Sequence, residues 1–153
     1  MTATNHALTG AAVGLVITDT FLAVPLAFLS HFVVDMIPHF SFAEKDLFTK
    51  KYNGYLITDL LLTTLLASVF LFAFATANWH VFLCIFAAVI PDIAWAYHRL
   101  FQERIRRQKL NYDRFSRIHL KLQAKTKPMS KSGIRNELIW LIGMALIIFI
   151  FLR

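Results

Sequence analysis

ALTGAAVGLVITDTFLAVPLAFLSHFVVDMI, residues 7–37, consists of two apolar runs separated by Thr18-Asp19-Thr20. Each run, 7–17 and 21–37, is shorter than the roughly 20 residues a helix needs to cross a bilayer, and the polar break marks a turn. The stretch therefore predicts a helical hairpin. Its second arm carries His31 and Asp35 four residues apart, followed by Pro38 and His39. Residues four apart share one helix face with a rise of about 6 Å, so His31 and Asp35 can reach a common point as a ligand pair. His39 would lie roughly 12 Å from His31 on a continuous helix. Pro38 disfavours helix at Ile37, so His39 sits where the chain turns, either folding back to the same point or binding a second ion.

Composition supports a membrane setting. The chain has 153 residues, of which 58% are hydrophobic and 16% charged, with 15 Phe. An ordinary soluble domain is about half apolar even when Gly is counted, so one small all-α integral membrane domain is expected. The lone Cys84 excludes a disulfide or a Cys-based zinc knot within one chain. No Lys or Arg precedes the first apolar run, and Asp19 interrupts it, so a cleavable signal peptide is not expected.

Further along, residues 54–77 and 79–98 are long enough, or nearly so, to span, with Asn78-Trp79 as an interfacial turn; they predict a second hairpin. Residues 138–152 form a last, short segment. The expected organisation is a hairpin bundle over 1–100, a basic amphipathic linker over 101–136 and a C-terminal transmembrane helix over 137–153. The last helix leaves room for a homodimer, but Gly143 alone is no dimerisation motif.

Charge orients this arrangement. Lys45, Lys50 and Lys51 lie between the hairpins, twelve more Lys or Arg lie between Arg99 and Arg135, and only Arg153 falls at the other end. By the positive-inside rule the basic side is cytoplasmic, which predicts a multi-pass protein of the inner membrane. The net charge of +7 then has a membrane explanation, and no nucleic-acid partner is expected. Phe101, Ile105, Tyr112, Phe115, Ile118 and Leu122 recur at helical spacing among these cations, describing an interfacial helix for an anionic leaflet. Residues 125–133 read as a flexible connection into the last helix.

Hairpin geometry gathers the polar residues. With a turn centred at Asp19, His6 comes level with His31. With a turn near Asn78, Asp59 comes level with Tyr97 at the same end, and Asp92 lies about 7 Å deeper. Ionisable residues at membrane depth face the bundle interior, and three buried carboxylates repel unless a cation or protons neutralise them. Imidazole and carboxylate without thiolate fit zinc first, with manganese and iron also suited. The expected donors are His6, His31, Asp35, His39, Asp59 and Asp92, which is more than one tetrahedral ion needs. Asp59 or Asp92, if not saturated by metal, is the expected general base. His98 reads as an interfacial neighbour of Arg99, and His80 at the opposite surface and His119 in the linker fall outside the ligand set.

NHALTGAAVG, LSHFVVDMIPHF and IPDIAWAYH together resemble the membrane-bound, metal-dependent hydrolase family of bacteria and archaea. These are small polytopic proteins with an early His, an SHxxxD segment and a Pro-Asp pair. The pattern is similar in outline to helical zinc-dependent phospholipases C, and the resemblance covers roughly residues 3–100. It implies His6, His31, Asp35 and Asp92 as metal ligands. The expected function is hydrolysis of a phosphoester, a lipid headgroup or a membrane-derived phosphate, with metal-bound water as nucleophile. Two other readings use the same residues: a non-enzymatic metal-binding or proton-coupled membrane protein, and a scaffold whose His and Asp groups are helix-packing contacts.

Overall fold

In the computed structural model, which describes residues 1–41, 49–73, 78–97, 114–122, 127–128 and 130–153, the chain is mostly helical. Its elements are α1 (Ala3–Val16), α2 (Thr20–Asp35), β1 (Phe40–Ser41), α3 (Lys50–Ala73), α4 (Asn78–Tyr97), α5 (Arg114–Leu122), β2 (Lys127–Pro128) and α6 (Lys131–Phe151). The all-α expectation holds, with one two-residue parallel pairing of β1 on β2 added to it.

The α1–α2 hairpin forms where Thr18-Asp19-Thr20 predicts it. Asp19 is the N-cap of α2 and accepts a hydrogen bond from the Leu22 amide at 3.0 Å. At the same end His80 donates from Nε2 to the Ile17 carbonyl and accepts the Thr20 hydroxyl at Nδ1, both at 2.8 Å. These bonds fasten the hairpin turn to the first turn of α4.

α1 is the centre of the bundle and packs against α2, α3, α4 and α6. Its small residues permit this. A Cβ built on Gly10 would lie 2.5 Å from the Cys84 carbonyl oxygen, and one on Gly14 would lie 3.0 Å from Val81 Cα. Gly10 and Gly14, four apart, thus form a small-residue face that lets the α1 and α4 backbones meet. On α2 the buried stripe is Ala23, Ala27, His31 and Asp35, each without solvent exposure. Ala23 and Ala27 pack on Cys84, Ala87 and Ala88 of α4. The His31/Asp35 pair thus continues a seam of small residues that seats α2 on α4.

α6 begins at Lys131, earlier than the apolar run alone predicts, because Ser130 N-caps it through the Gly133 amide. The residues read as a flexible connection therefore include β2 and the first turn of this helix. Gly133 lies so close to the backbone of His39 and Phe40 that a Cβ there would sit 2.7 Å from the His39 carbonyl carbon. Glu137 accepts the Thr2 hydroxyl at 3.0 Å and the Asn5 side-chain amide, and the Trp140 indole donates to Thr9 Oγ1 at 2.9 Å. Polar bonds, rather than apolar packing alone, hold α6 to α1.

Two helices, residues 50–72 and 131–151, are long and apolar enough to cross a membrane, while α2 and residues 79–94 of α4 are shorter apolar helices. The outer face is apolar: Leu61 is 64% exposed and Phe72 80% exposed. On α3 the hydroxyls of Thr58, Thr64 and Ser68 bond back to the carbonyls of Gly54, Leu60 and Thr64 at 2.8–2.9 Å, satisfying themselves within the helix.

Of the basic amphipathic stretch, α5 is observed; Phe101, Ile105, Tyr112 and His98 lie outside the described residues, as does Lys45. Arg114, Arg117, Ile118 and Lys121 are exposed on α5.

The close approach at Gly10 makes a test. Gly10→Leu overpacks the α1–α4 contact and should lower unfolding stability in detergent by about 1–3 kcal/mol. Gly143→Leu, with nothing within 4 Å of the added Cβ, should leave the melting curve nearly unchanged.

Candidate metal centre

The helix termini that meet at one end of the bundle bring the ionisable side chains together. His6 is in the second turn of α1, His31 and Asp35 in the last turns of α2, and Asp92 follows Pro91 in α4. The hairpin arithmetic for His6 and His31 is realised as stacked rings, their centroids 3.9 Å apart and their planes inclined by 23°.

Asp35 is the hub. Its Oδ1 lies 3.1 Å from His6 Nε2 and 3.9 Å from His39 Nε2, and it also meets the amino nitrogen of Met1. Its Oδ2 lies 3.3 Å from His31 Nε2 and 3.0 Å from His119 Nε2. Asp92 straddles the cluster in the same sense, with Oδ2 3.9 Å from His6 Nε2 and Oδ1 3.8 Å from His31 Nε2. His6, His31 and Asp35 have no side-chain exposure, whereas Asp92 keeps 24%. Asp92 is the member of the cluster that faces the outside.

The hydrogen bonds fix which imidazole nitrogens face the cluster. His31 Nδ1 lies 2.8 Å from the Ala88 carbonyl oxygen, which can only accept, so Nδ1 carries a proton. In neutral His31 the lone pair is then on Nε2, turned toward Asp35, Asp92 and His119. His39 is arranged alike, donating from Nδ1 to the Ile37 carbonyl at 2.8 Å, and burial holds its imidazole down at about 4. A ring N–H anchored on a backbone carbonyl is the outer bond by which a metal-ligating histidine is oriented. A lone pair on His31 Nε2 facing two carboxylates is repulsive unless a proton or a metal ion lies between them.

The spacing fits an ion. Ligand atoms at about 2.0–2.2 Å from one metal stand roughly 3–4 Å apart, the range these donors occupy. Among the described residues two groups have their donor atoms within 4.8 Å of one another: His6, His31 and Asp35, and His31, Asp92 and His119.

Four of the six residues expected as ligands, His6, His31, Asp35 and Asp92, are thus gathered at one point, with His39 at its edge. Asp59 is not among them. Its Oδ2 accepts the Ala3 amide at 2.8 Å, and its Oδ1 accepts the Thr4 amide at 3.0 Å and the Thr4 hydroxyl at 2.6 Å. A carboxylate on α3 therefore caps the N-terminus of α1, where free amides and the helix dipole favour negative charge. This engagement takes the place of the ligand and general-base roles expected of Asp59.

His119, set aside in the sequence as a linker residue, is 1% exposed and sits within the cluster, its ring edge-on to His31 at 5.0 Å. One signal could have found it. His119 is four residues after Phe115 and three before Leu122, on the apolar stripe of the basic helix rather than on its charged face.

No protein-family model, no curated protein and no solved structure matches this chain. The metal reading rests on the donor geometry and on the short motifs that carry the resemblance.

Asp59 and Asp35 should separate cleanly on substitution. Asp59→Ala removes a helix cap and should cost about 1–2 kcal/mol of stability while leaving the metal content per chain at the wild-type value. Asp35→Ala should abolish metal retention; elemental analysis and thermal unfolding of both variants decide the point.

Proposed function

We propose that this protein is a membrane-embedded, metal-dependent hydrolase of phosphoesters, with its metal held by His6, His31, Asp35, Asp92 and His119. The observation that carries this reading is a pair of buried donor groups that share His31, one with His6 and Asp35 and the other with Asp92 and His119, with the His31 Nδ1 proton anchored away from them on the Ala88 carbonyl. No thiolate is present, so zinc or manganese suits the donors.

The division of oxygens favours two ions. Asp35 and Asp92 each turn one oxygen toward His6 and the other toward His31. His6 and the nearby His39 would hold one ion and His31 and His119 the other, with Asp35 facing both groups.

When bound, divalent ions polarise a phosphoryl oxygen and lower the pKa of an attacking water. The chain's own groups supply the rest. Asp92, the only partly buried member of the cluster, would accept the proton of that water through an oxygen that the metal leaves free, a role that Asp59 in its capping position does not offer. The buried Asp35 and His31 are fixed by their contacts with His6, His119 and the Ala88 carbonyl. Arg114, Arg117 and Lys121 on α5, the helix that carries His119, provide positive charge that attracts an anionic headgroup.

The surroundings fit a membrane. α3 and α6 are long and apolar enough to cross, and the cluster lies at the end of the bundle where Lys50, Lys51, Lys131 and Arg135 are found. The positive-inside rule then puts the site at the cytoplasmic face of the inner membrane.

Metal content per chain tests the reading first. Purified wild type, reloaded with zinc or manganese, should hold close to two ions, His31→Ala should hold none, and His119→Ala should bind at least tenfold more weakly. The loaded protein should hydrolyse bis(4-nitrophenyl) phosphate, with Asp92→Asn reducing turnover by about 10²–10⁴-fold. Wild type that takes up no metal, with His31→Ala merely less stable, would sink the proposal in favour of a protonated His/Asp network that holds helices together.

A further inference from the structure

α5 carries a donor of the cluster on one side and exposed charge on the other. At about 100° per residue Arg114, Ile118 and Lys121 fall within an arc of roughly 60°, and His119 lies at least about 100° from each of them. Burial follows that division. Arg114, Ile118 and Lys121 are exposed, Ile118 to 56%, whereas His119 is 1% exposed and its Nε2 lies 3.0 Å from Asp35 Oδ2.

The protein does not neutralise the outer face. Among the described residues the acids are committed elsewhere: Asp19 caps α2 at the far end of the hairpin, Asp59 caps α1, Glu137 holds Thr2 and Asn5, and Asp35 and Asp92 face the imidazoles. Lys50, Lys51, Lys131 and Arg135 add exposed cations at the same end, where the two helices long and apolar enough to cross a membrane begin. Cations around an exposed Ile, beside the starts of such helices, match a surface that is negative at its head groups and hydrocarbon beneath them. A soluble polyanion would meet the charges and leave Ile118 in water.

The inner face ties this surface to the cluster. A helix of nine residues is marginal by itself, since isolated helices shorter than about 12–15 residues barely hold in water. α5 therefore depends on what it packs against, and its bundle side sets His119 against His31, Phe32 and Asp35. Support for the opposite side is support for the position of His119 as well.

We propose that α5 docks on an anionic membrane leaflet through Arg114, Ile118 and Lys121, and that this docking seats His119 in the donor cluster, so that the leaflet sets how tightly the site holds metal. The docking stands on α5 itself, and its consequence for the metal rests on the hydrolase reading. Linkage makes the effect reciprocal: the factor by which the leaflet tightens metal binding is the factor by which metal tightens α5 on the leaflet. A hydrolase built this way is best loaded where the leaflet is rich in anionic phosphoesters.

The full-length protein in phosphatidylcholine vesicles, with and without phosphatidylglycerol, tests both halves. An environment-sensitive fluorophore on Ile118→Cys, in a Cys84→Ala background, should shift to the blue and be quenched by brominated acyl chains only when phosphatidylglycerol is present. The same label on Phe72→Cys should be quenched in both membranes. Zinc affinity is measured by chelator competition in each membrane. Because an anionic surface concentrates zinc around any protein, the gain with phosphatidylglycerol is compared with that of Arg114→Gln/Lys121→Gln, which keeps His119, and of His119→Ala, which keeps the cations. The wild-type gain should exceed both by roughly fivefold or more, the factor that about 1 kcal/mol for one basic residue at an anionic surface gives. A label that stays in water on both membranes would overturn the docking and leave the cationic face to a soluble anionic partner. Equal gains in the three proteins would overturn the coupling even where α5 docks. Protein that docks α5 and takes up no zinc would sustain the docking surface and overturn the hydrolase, and the coupling with it.

Discussion

The approach of α1 to α4 at Gly10 is the contact on which the other features depend. No side chain larger than hydrogen fits between that residue and the Cys84 carbonyl, so the backbones are as close as helices pack. That closeness fixes how far His6 stands from Asp92, the two being on the helices so joined. The Ala23–Ala27 seam does the same for α2 and sets His31 against the Ala88 carbonyl. Three helices brought together by small residues thus converge at one end on His6, His31, Asp35 and Asp92.

Asp35 is wholly buried among imidazoles and the Met1 ammonium, and the His31 Nδ1 proton anchored on the Ala88 carbonyl leaves Nε2 to face it. Desolvating a carboxylate costs several kcal/mol unless opposite charge repays it. The Met1 ammonium supplies one such charge to Asp35, and a proton on His31 Nε2 or a bound cation would supply another between the two carboxylates. The Asp59 carboxylate solves the same problem differently, by accepting the amides at the start of α1. Acidic residues at similar depth on neighbouring helices therefore diverge in role because one has free amides to meet and the other has imidazoles.

The difference bears on how much the sequence reveals. Hairpin symmetry about Asp19 is a local property, so the level of His6 with His31 was readable, as was the shared helix face of His31 and Asp35. The capping contact of Asp59 was not readable because capping is searched for along the chain, and this cap is supplied across 56 residues from a different helix. His119 was missed for a related reason: it meets Asp35 across 84 residues, and the path of the linker is not written in its composition. Gly143 attracted notice as a glycine in an apolar helix, yet its surroundings are open, while Gly10 and Gly14 carried the spacing that matters. Periodicity marks a face, but the identity of the partner facing it comes from tertiary packing.

The position of the cluster within the bundle also bears on what can reach it. His6, His31 and Asp35 are sealed, and the exposure that remains belongs to Asp92 at the end of α4. Among the described residues, the way in therefore passes Asp92, the one member of the cluster that is only partly buried, and the cationic side chains of α5, the helix that also carries His119, stand at the same end of the bundle.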